Sequence, residues 1–238
     1  MKRLVRQLSQ LALLTVFVAM TAAVASAQSN TGTVQLNGSV QNAASLRWWS
    51  FTNNNAVSGA NAPNTQNSPL AFTLNMGDVS PNNTNNYVGG SVRVILRTNA
   101  AYTLSAALTS NSGFGTIGNT NGDLALSDIG FGLANIAASG VLVTGTAVSG
   151  SSVTAPYNND PSTATKDVDG IPTFTSTLGN LSTTAPGTQV MSGPRISRGG
   201  SNNSPNNGLL VDTIYAVGPQ FFTPTSFSAT VTYTLVTP

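Results

Sequence analysis

From Phe227 to Leu235 the chain reads Phe-Ser-Ala-Thr-Val-Thr-Tyr-Thr-Leu, with apolar and hydroxyl side chains taking turns almost without a break. A period of two is the spacing of an extended strand, whose successive side chains stand on opposite faces. It predicts a strand over 227–235 with Phe227, Ala229, Val231, Tyr233 and Leu235 on the buried face. The same spacing recurs along the chain. Val34, Leu36 and Val40 share one parity, Leu46, Trp48 and Phe51 mark a following strand, and Leu70, Phe72, Leu74 and Met76 alternate again. Further strands are predicted over 124–133, 141–148 and 209–217. The longest pattern covers 92–108. Ordinary strands have about 5–6 residues, so a bulge or bend is expected near Asn99, after which pairing resumes.

Segments 52–69, 149–170 and 192–208 are rich in Asn, Gly, Ser and Pro and read as long polar loops. No segment shows a 3.6-residue period, and no repeat of fixed length is present. Short alternating strands separated by turn signals predict an all-β fold, an antiparallel β-sandwich. Because the strands alternate rather than run continuously apolar, one face of each sheet is expected to be wet.

Composition agrees with that expectation. Charged residues make up 7% of the chain, and glutamate is absent, whereas a usual charged share is about 25%. Thr, Val, Asn and Gly favour strands and turns over helices. Cysteine is also absent, so the fold has no disulfide framework and rests on packing.

The first residues carry a different pattern. Lys2, Arg3 and Arg6 precede the apolar run Leu11–Met20, and small residues follow to Ala25-Ser26-Ala27. A cationic start, an apolar core and an A-x-A end predict a cleavable signal peptide over residues 1–27. The apolar run falls short of the ~20 residues that span a bilayer, and no second run of that kind follows, so no integral membrane segment is expected after cleavage. The organisation expected is therefore a signal peptide at 1–27, an N-terminal strand or extension at 28–45, and one domain at 46–238. Of nine basic residues, Lys2, Arg3 and Arg6 leave with the leader, so six stand against seven aspartates. Those six (Arg47, Arg93, Arg97, Lys166, Arg195 and Arg198) form no run in sequence. Nucleic-acid binding has no electrostatic footing on such a pattern. The chain is expected in the periplasm, on the cell surface or outside the cell.

Catalytic equipment is sparse. Histidine, glutamate and cysteine are all missing, which removes the usual general base, Ser-His-Asp chemistry and His- or Cys-based zinc sites. A carboxylate pair is still conceivable, with Asp123 and Asp128 as candidates by spacing. No enzyme activity and no cofactor are predicted. Asp160 with Asp167-Val168-Asp169-Gly170 offers hard oxygen ligands of the kind calcium takes, but no acidic residue closes the loop after Ile171; the competing reading is a solvated turn in which aspartates cap the backbone. Trp48 and Trp49 are adjacent, so a regular strand would send them to opposite faces, one into the core and one toward a glycan or protein ligand, unless loops cover both. Arg93 and Arg97 share the outer face of one strand and read as solvation. The sequons at Asn82, Asn180 and Asn202 carry little weight in so Asn-rich a chain.

The leader, the alternating segment Thr33-Val-Gln-Leu-Asn-Gly-Ser-Val40, the strand Arg97-Thr-Asn-Ala-Ala-Tyr-Thr-Leu104 and a last strand with a near-terminal Tyr233 together resemble the layout of bacterial fimbrial (pilin) subunits and spore-coat-U-like secreted proteins. Many members of those families carry a disulfide, which this chain lacks. The resemblance implies a β-sandwich of immunoglobulin-like or jelly-roll type, left incomplete and finished by a neighbour's N-terminal strand. Residues 31–42 would be the donor, with Val34, Leu36 and Val40 filling pockets. It implies a homopolymer or fimbrial partners and a structural or adhesive role. A monomeric module that binds glycan or protein through its loops and exposed aromatics is the alternative.

Overall fold

The computed structural model describes residues 35–53, 73–116, 122–200 and 207–238, the side chains of 48–53 excepted. The expected signal peptide, Val34, Leu70, Phe72 and most of the 52–69 loop lie outside the described residues. Two compact units are distinguished, Met1–Val40 and Gln41–Pro238. Of the first, only residues 35–40 are described, and they belong to no strand.

In chain order the elements of the second unit are β1, Ala44–Asn53; β2, Val88–Thr98; β3, Tyr102–Ser112; β4, Gly130–Ser139; the short helix α1, Gly145–Gly150; β5, Ser152–Val153; β6, Thr165–Lys166; β7, Pro172–Thr173; β8, Thr188–Gly193; β9, Gly208–Val217; and β10, Ser228–Val236. They form one sheet in the order β1-β2-β9-β4, a second in the order β10-β3-β8-β5, and a small β6-β7 hairpin. All pairings between these strands are antiparallel. The fold is all-β. Among the described residues no helix is long and apolar enough to cross a membrane.

Both sheets feed one apolar cluster. Val92, Val94, Leu96, Phe131, Leu133, Leu209 and Val211 come from the first sheet, and Tyr102, Leu104, Ala106, Leu108, Val190 and Met191 from the second. Fully burying a Leu or Val contributes about 1.5–3 kcal/mol, so the nine named here are a main source of the burial that offsets chain entropy without a covalent brace. The break expected near Asn99 is present, but beyond it the chain does not resume the same pairing. β2 ends at Thr98, β3 begins at Tyr102, and the two belong to different sheets. Asn99 holds this crossing: its Oδ1 accepts from Ala43 N at 2.7 Å and its Nδ2 donates to Gln41 O at 2.8 Å.

Four other expectations are corrected. No strand forms at 35–43; pairing begins at Ala44. Residues 73–79 form no strand either, although Leu74 and Met76 pack against the core from an irregular segment. Gly77 adopts φ 78° there, and its N–H donates to Asn75 Oδ1 at 3.0 Å, a local turn bond that replaces ladder pairing. The strand predicted at 124–133 starts only at Gly130, because the Asp128 carboxylate accepts from Ala125 N at 2.8 Å and winds Leu126–Asp128 into a 3₁₀ turn. Residues 145–150 are helical rather than extended, with Ala147 seated in the core. The strands predicted at 209–217 and 227–235 appear as β9 and β10, but Ala229 is exposed rather than buried. The polar loop at 149–170 holds β5, β6 and the 3₁₀ turn Pro161–Thr163. In the 192–208 segment β8 reaches Gly193 and β9 begins at Gly208.

Candidate functional site

β10 lies at the edge of its sheet, and among the described residues it has a strand neighbour on one side only, β3. Its sequence explains the pairing. The alternating run presents apolar residues to the shared core and hydroxyls to water, and nine residue pairs join it to β3 with one register shift beside Thr109. On the outer face the Thr109 and Thr232 hydroxyls bond at 2.8 Å. On the inner face burial falls away toward the edge. Tyr102, Leu104 and Leu108 of β3 are buried, whereas Phe227, Val231, Tyr233 and Leu235 are only half-buried. Tyr233 is pinned to the opposite sheet, its hydroxyl 2.7 Å from that of Tyr215. Burial raises the pKa of both phenols, that of Tyr233 well above its ordinary value. Among the described residues no strand pairs with the outer side of β10, and the apolar row beside it is half-buried, an arrangement that can accept a further strand.

The predicted plugs are partly within view. Leu36 and Val40 are each 90% exposed in a segment that forms no strand; Val34 lies outside the described residues. Trp48 and Trp49 lie on β1, at the edge of the other sheet. Trp48 pairs with Val94 and Ser50 with Arg93, so Trp49 is the extra residue of a β-bulge. A bulge breaks strict alternation, so opposite faces for the two tryptophans no longer follow from adjacency. Their side chains lie outside the described residues.

The aspartates flagged for chemistry hold turns. Asp160 Oδ1 accepts from Ser162 N at 2.9 Å and Ser162 Oγ at 2.6 Å, and Asp167 Oδ1 accepts from Asp169 N at 3.0 Å and Ile171 N at 2.8 Å. Among the described residues no three acidic side chains gather into a metal-binding group. Asp128 is occupied with its own turn, and burial raises its pKa; Asp123 lies half-buried on the preceding segment. A shallow, open hollow of about 360 Å³ is lined by Asn85, Asn86, Tyr87 and Ser162. Those side chains offer hydrogen bonds but no general acid or base for neutral pH.

One constellation escaped the sequence reading. Arg93 does not merely solvate its face. Its Nε and Nη2 lie 2.6 and 2.8 Å from Asp212 Oδ1 and Oδ2, and Asn135 Nδ2 donates to the same Oδ2 at 2.9 Å. The Asp212 side chain is 8% exposed. Its hydrogen bond raises the Arg93 pKa. Asn135 reaches it from a register shift in β4, with φ 56° in the left-handed region that Asn tolerates. The signal was the lone carboxylate in Leu209-Leu-Val-Asp-Thr-Ile214, since a charge buried in such a run needs a partner. This cluster is satisfied internally and stabilises β2, β9 and β4. No family model, curated protein or solved structure matches the chain.

Proposed function

We propose that the chain is an exported, non-enzymatic structural or adhesive surface protein. On this reading residues 1–27 are its signal peptide, the two sheets form an immunoglobulin-like or jelly-roll β-sandwich, and copies assemble by strand addition. A segment within residues 31–42 of one copy lies along β10 of the next, and Val34, Leu36 and Val40 fill the half-covered inner row. The supporting observation is that row, Val231, Tyr233 and Leu235 of β10 with Phe227 just before it, on a strand with one neighbour among the described residues. Main-chain bonds supply affinity and alternate side chains supply register. Such a contact is head-to-tail and does not close on itself, so it builds fibres. The absence of His, Glu and Cys from the sequence supports the non-enzymatic part.

Electron microscopy of the secreted chain is the test, with filaments expected. In 300 mM NaCl, Val34→Ser/Leu36→Ser/Val40→Ser should abolish them, and a peptide of residues 31–42 added in excess should cap them. A wild-type chain that stays monomeric at high concentration and does not bind the peptide sinks the proposal.

A further inference from the structure

Few charges are present, and the fold sorts them by sign along the strand axis. At the end of the body where β2 crosses to β3, Arg47 sits near the start of β1 and Arg97 near the end of β2. Arg195 and Arg198 lie on the segment after β8, which runs beside them: Ser197 N donates to Thr98 O at 2.9 Å and Arg97 Nη2 to Gly199 O at 3.5 Å. Arg195 and Arg198 are exposed, and Arg47 and Arg97 half-buried. Burial and the charge of Arg47 both lower the Arg97 pKa, the mark of like charges brought together. No aspartate lies at this end among the described residues, and the Pro238 main-chain oxygen there accepts from Asn42 Nδ2.

The opposite end carries the reverse sign. Asp78 lies in the turn whose neighbour Val79 accepts from Gln220 N at 3.0 Å, and Asp123 follows Gly122, which accepts from Thr223 N at 2.8 Å. Asp128 precedes the start of β4, Asp160 caps the 3₁₀ turn against β4 and β9, and Asp167 and Asp169 form the β6-β7 tip. Lys166 is the basic residue among them. Arg93 and Asp212, between the two ends, neutralise each other.

β2 alone has eleven residues, about 35 Å of extended chain at ~3.3 Å per residue. Charges that far apart are screened from one another at a Debye length of ~8 Å. A second molecule therefore meets each pole separately. From this segregation we infer that copies of the chain stack end to end in solution, the arginine pole of one against the aspartate pole of the next. The occupant is a second copy because one surface carries both halves of the complementarity, and a translation along the strand axis superposes them. This contact is independent of strand addition, and electrostatic contacts of this kind weaken with salt whereas strand pairing does not.

The test uses the secreted chain carrying Val34→Ser/Leu36→Ser/Val40→Ser, which disables strand donation without changing charge, so failure of either reading is seen separately. Sedimentation velocity in 20 mM and 300 mM NaCl should show association that weakens roughly tenfold or more at the higher salt. Arg195→Glu/Arg198→Glu should leave it monomeric, as should Val168→Lys/Asp169→Lys/Phe221→Lys, whose positions are all exposed. Circular dichroism checks that both variants fold. An equimolar mixture of the two sets ends of opposite sign against each other and should restore association. A parent that is monomeric at low salt, association indifferent to salt, a pole variant that associates like the parent, or a mixture that stays monomeric each overturns the inference.

Discussion

The two sheets solve the same problem differently. In β9 of the first sheet both faces are buried: Leu209, Val211 and Val217 enter the shared core, while Leu210, Asp212, Ile214 and Ala216 are buried on the other side. In β10 of the second sheet the inner row is half-covered, and Ser228, Thr230 and Thr232 stand in water. The cover over the first sheet comes from the long segment between α1 and β8. Its Pro161–Thr163 turn lies against β9 and β4, and its backbone bonds the outer edge of β4, with Leu133 N donating to Tyr157 O at 2.8 Å and Phe131 N to Ser176 O at 3.0 Å. One sheet edge is thus closed by the chain's own loop, and the other has no further strand beside it among the described residues. Alternation in sequence predicts one wet face per sheet, and that holds for β10 but fails for β9, where a loop took the place of water.

The sharpest way to break this contrast is to lift the cover. Gly132 of β4 faces the loop so closely that a Cβ there would run into the main-chain oxygen of Asn159. Backbone cannot yield as a flexible side chain does, so Gly132→Ala should destabilise by ~3 kcal/mol, the upper end for overpacking. Urea unfolding monitored by tryptophan fluorescence reads this, and a loss under 1 kcal/mol would mean that the loop is not firmly seated. Next in size is Arg93→Ala, which strands the Asp212 carboxylate under the same cover with Asn135 as its remaining side-chain donor. Buried pairs broken on one side lose ~3–5 kcal/mol and exposed pairs under ~1. Arg93 is 35% exposed and Asp212 8%, so an intermediate loss of ~2 kcal/mol is expected. Arg93→Ala with Asp212→Leu should recover much of it, because the buried charge is gone.

What could be read from sequence tracks the range of the interactions responsible. β10 was legible because period two is a local signal and nothing nearby competes with it, whereas β9, apolar on both parities, was legible as a strand without a sign of which face was covered. The segment at 145–150 misled for the opposite reason: its small residues fit a strand or a helical turn, and the seat of Ala147 in the core decides. At Asn99 the break was visible but not the change of sheet, since period two is the same on either side of a crossing. Asp128 shows a single side chain overriding alternation by capping its own turn. The open side of β10 depends on sheet order, which is set by contacts between residues more than a hundred positions apart, such as Tyr233 with Ala106. The turn roles of Asp160 and Asp167 were readable as one of two alternatives, and spacing alone did not choose between them.

Smaller effects sharpen the comparison at the β10 side. Tyr233→Phe removes the hydroxyl bonded to Tyr215 and should lose ~1 kcal/mol at pH 7. The pH dependence carries more information. Unfolded tyrosines ionise near pH 10, while burial raises both folded phenols above their ordinary value. Above pH 10 the unfolded chain therefore holds fewer protons than the folded one, and stability falls as pH rises. The Phe variant has one such group fewer, so its melting temperature should fall less steeply and approach that of the wild type in alkali. Parallel curves would mean that the pair is not buried between the sheets. On the outer face the same strand should be indifferent. Thr232→Val keeps shape and β-propensity and gives up a bond to Thr109 that water replaces, so its melting temperature should match the wild type within ~0.5 kcal/mol of equivalent stability. A substantial loss there would show that β10's hydroxyl face is covered after all, and the contrast with β9 would disappear.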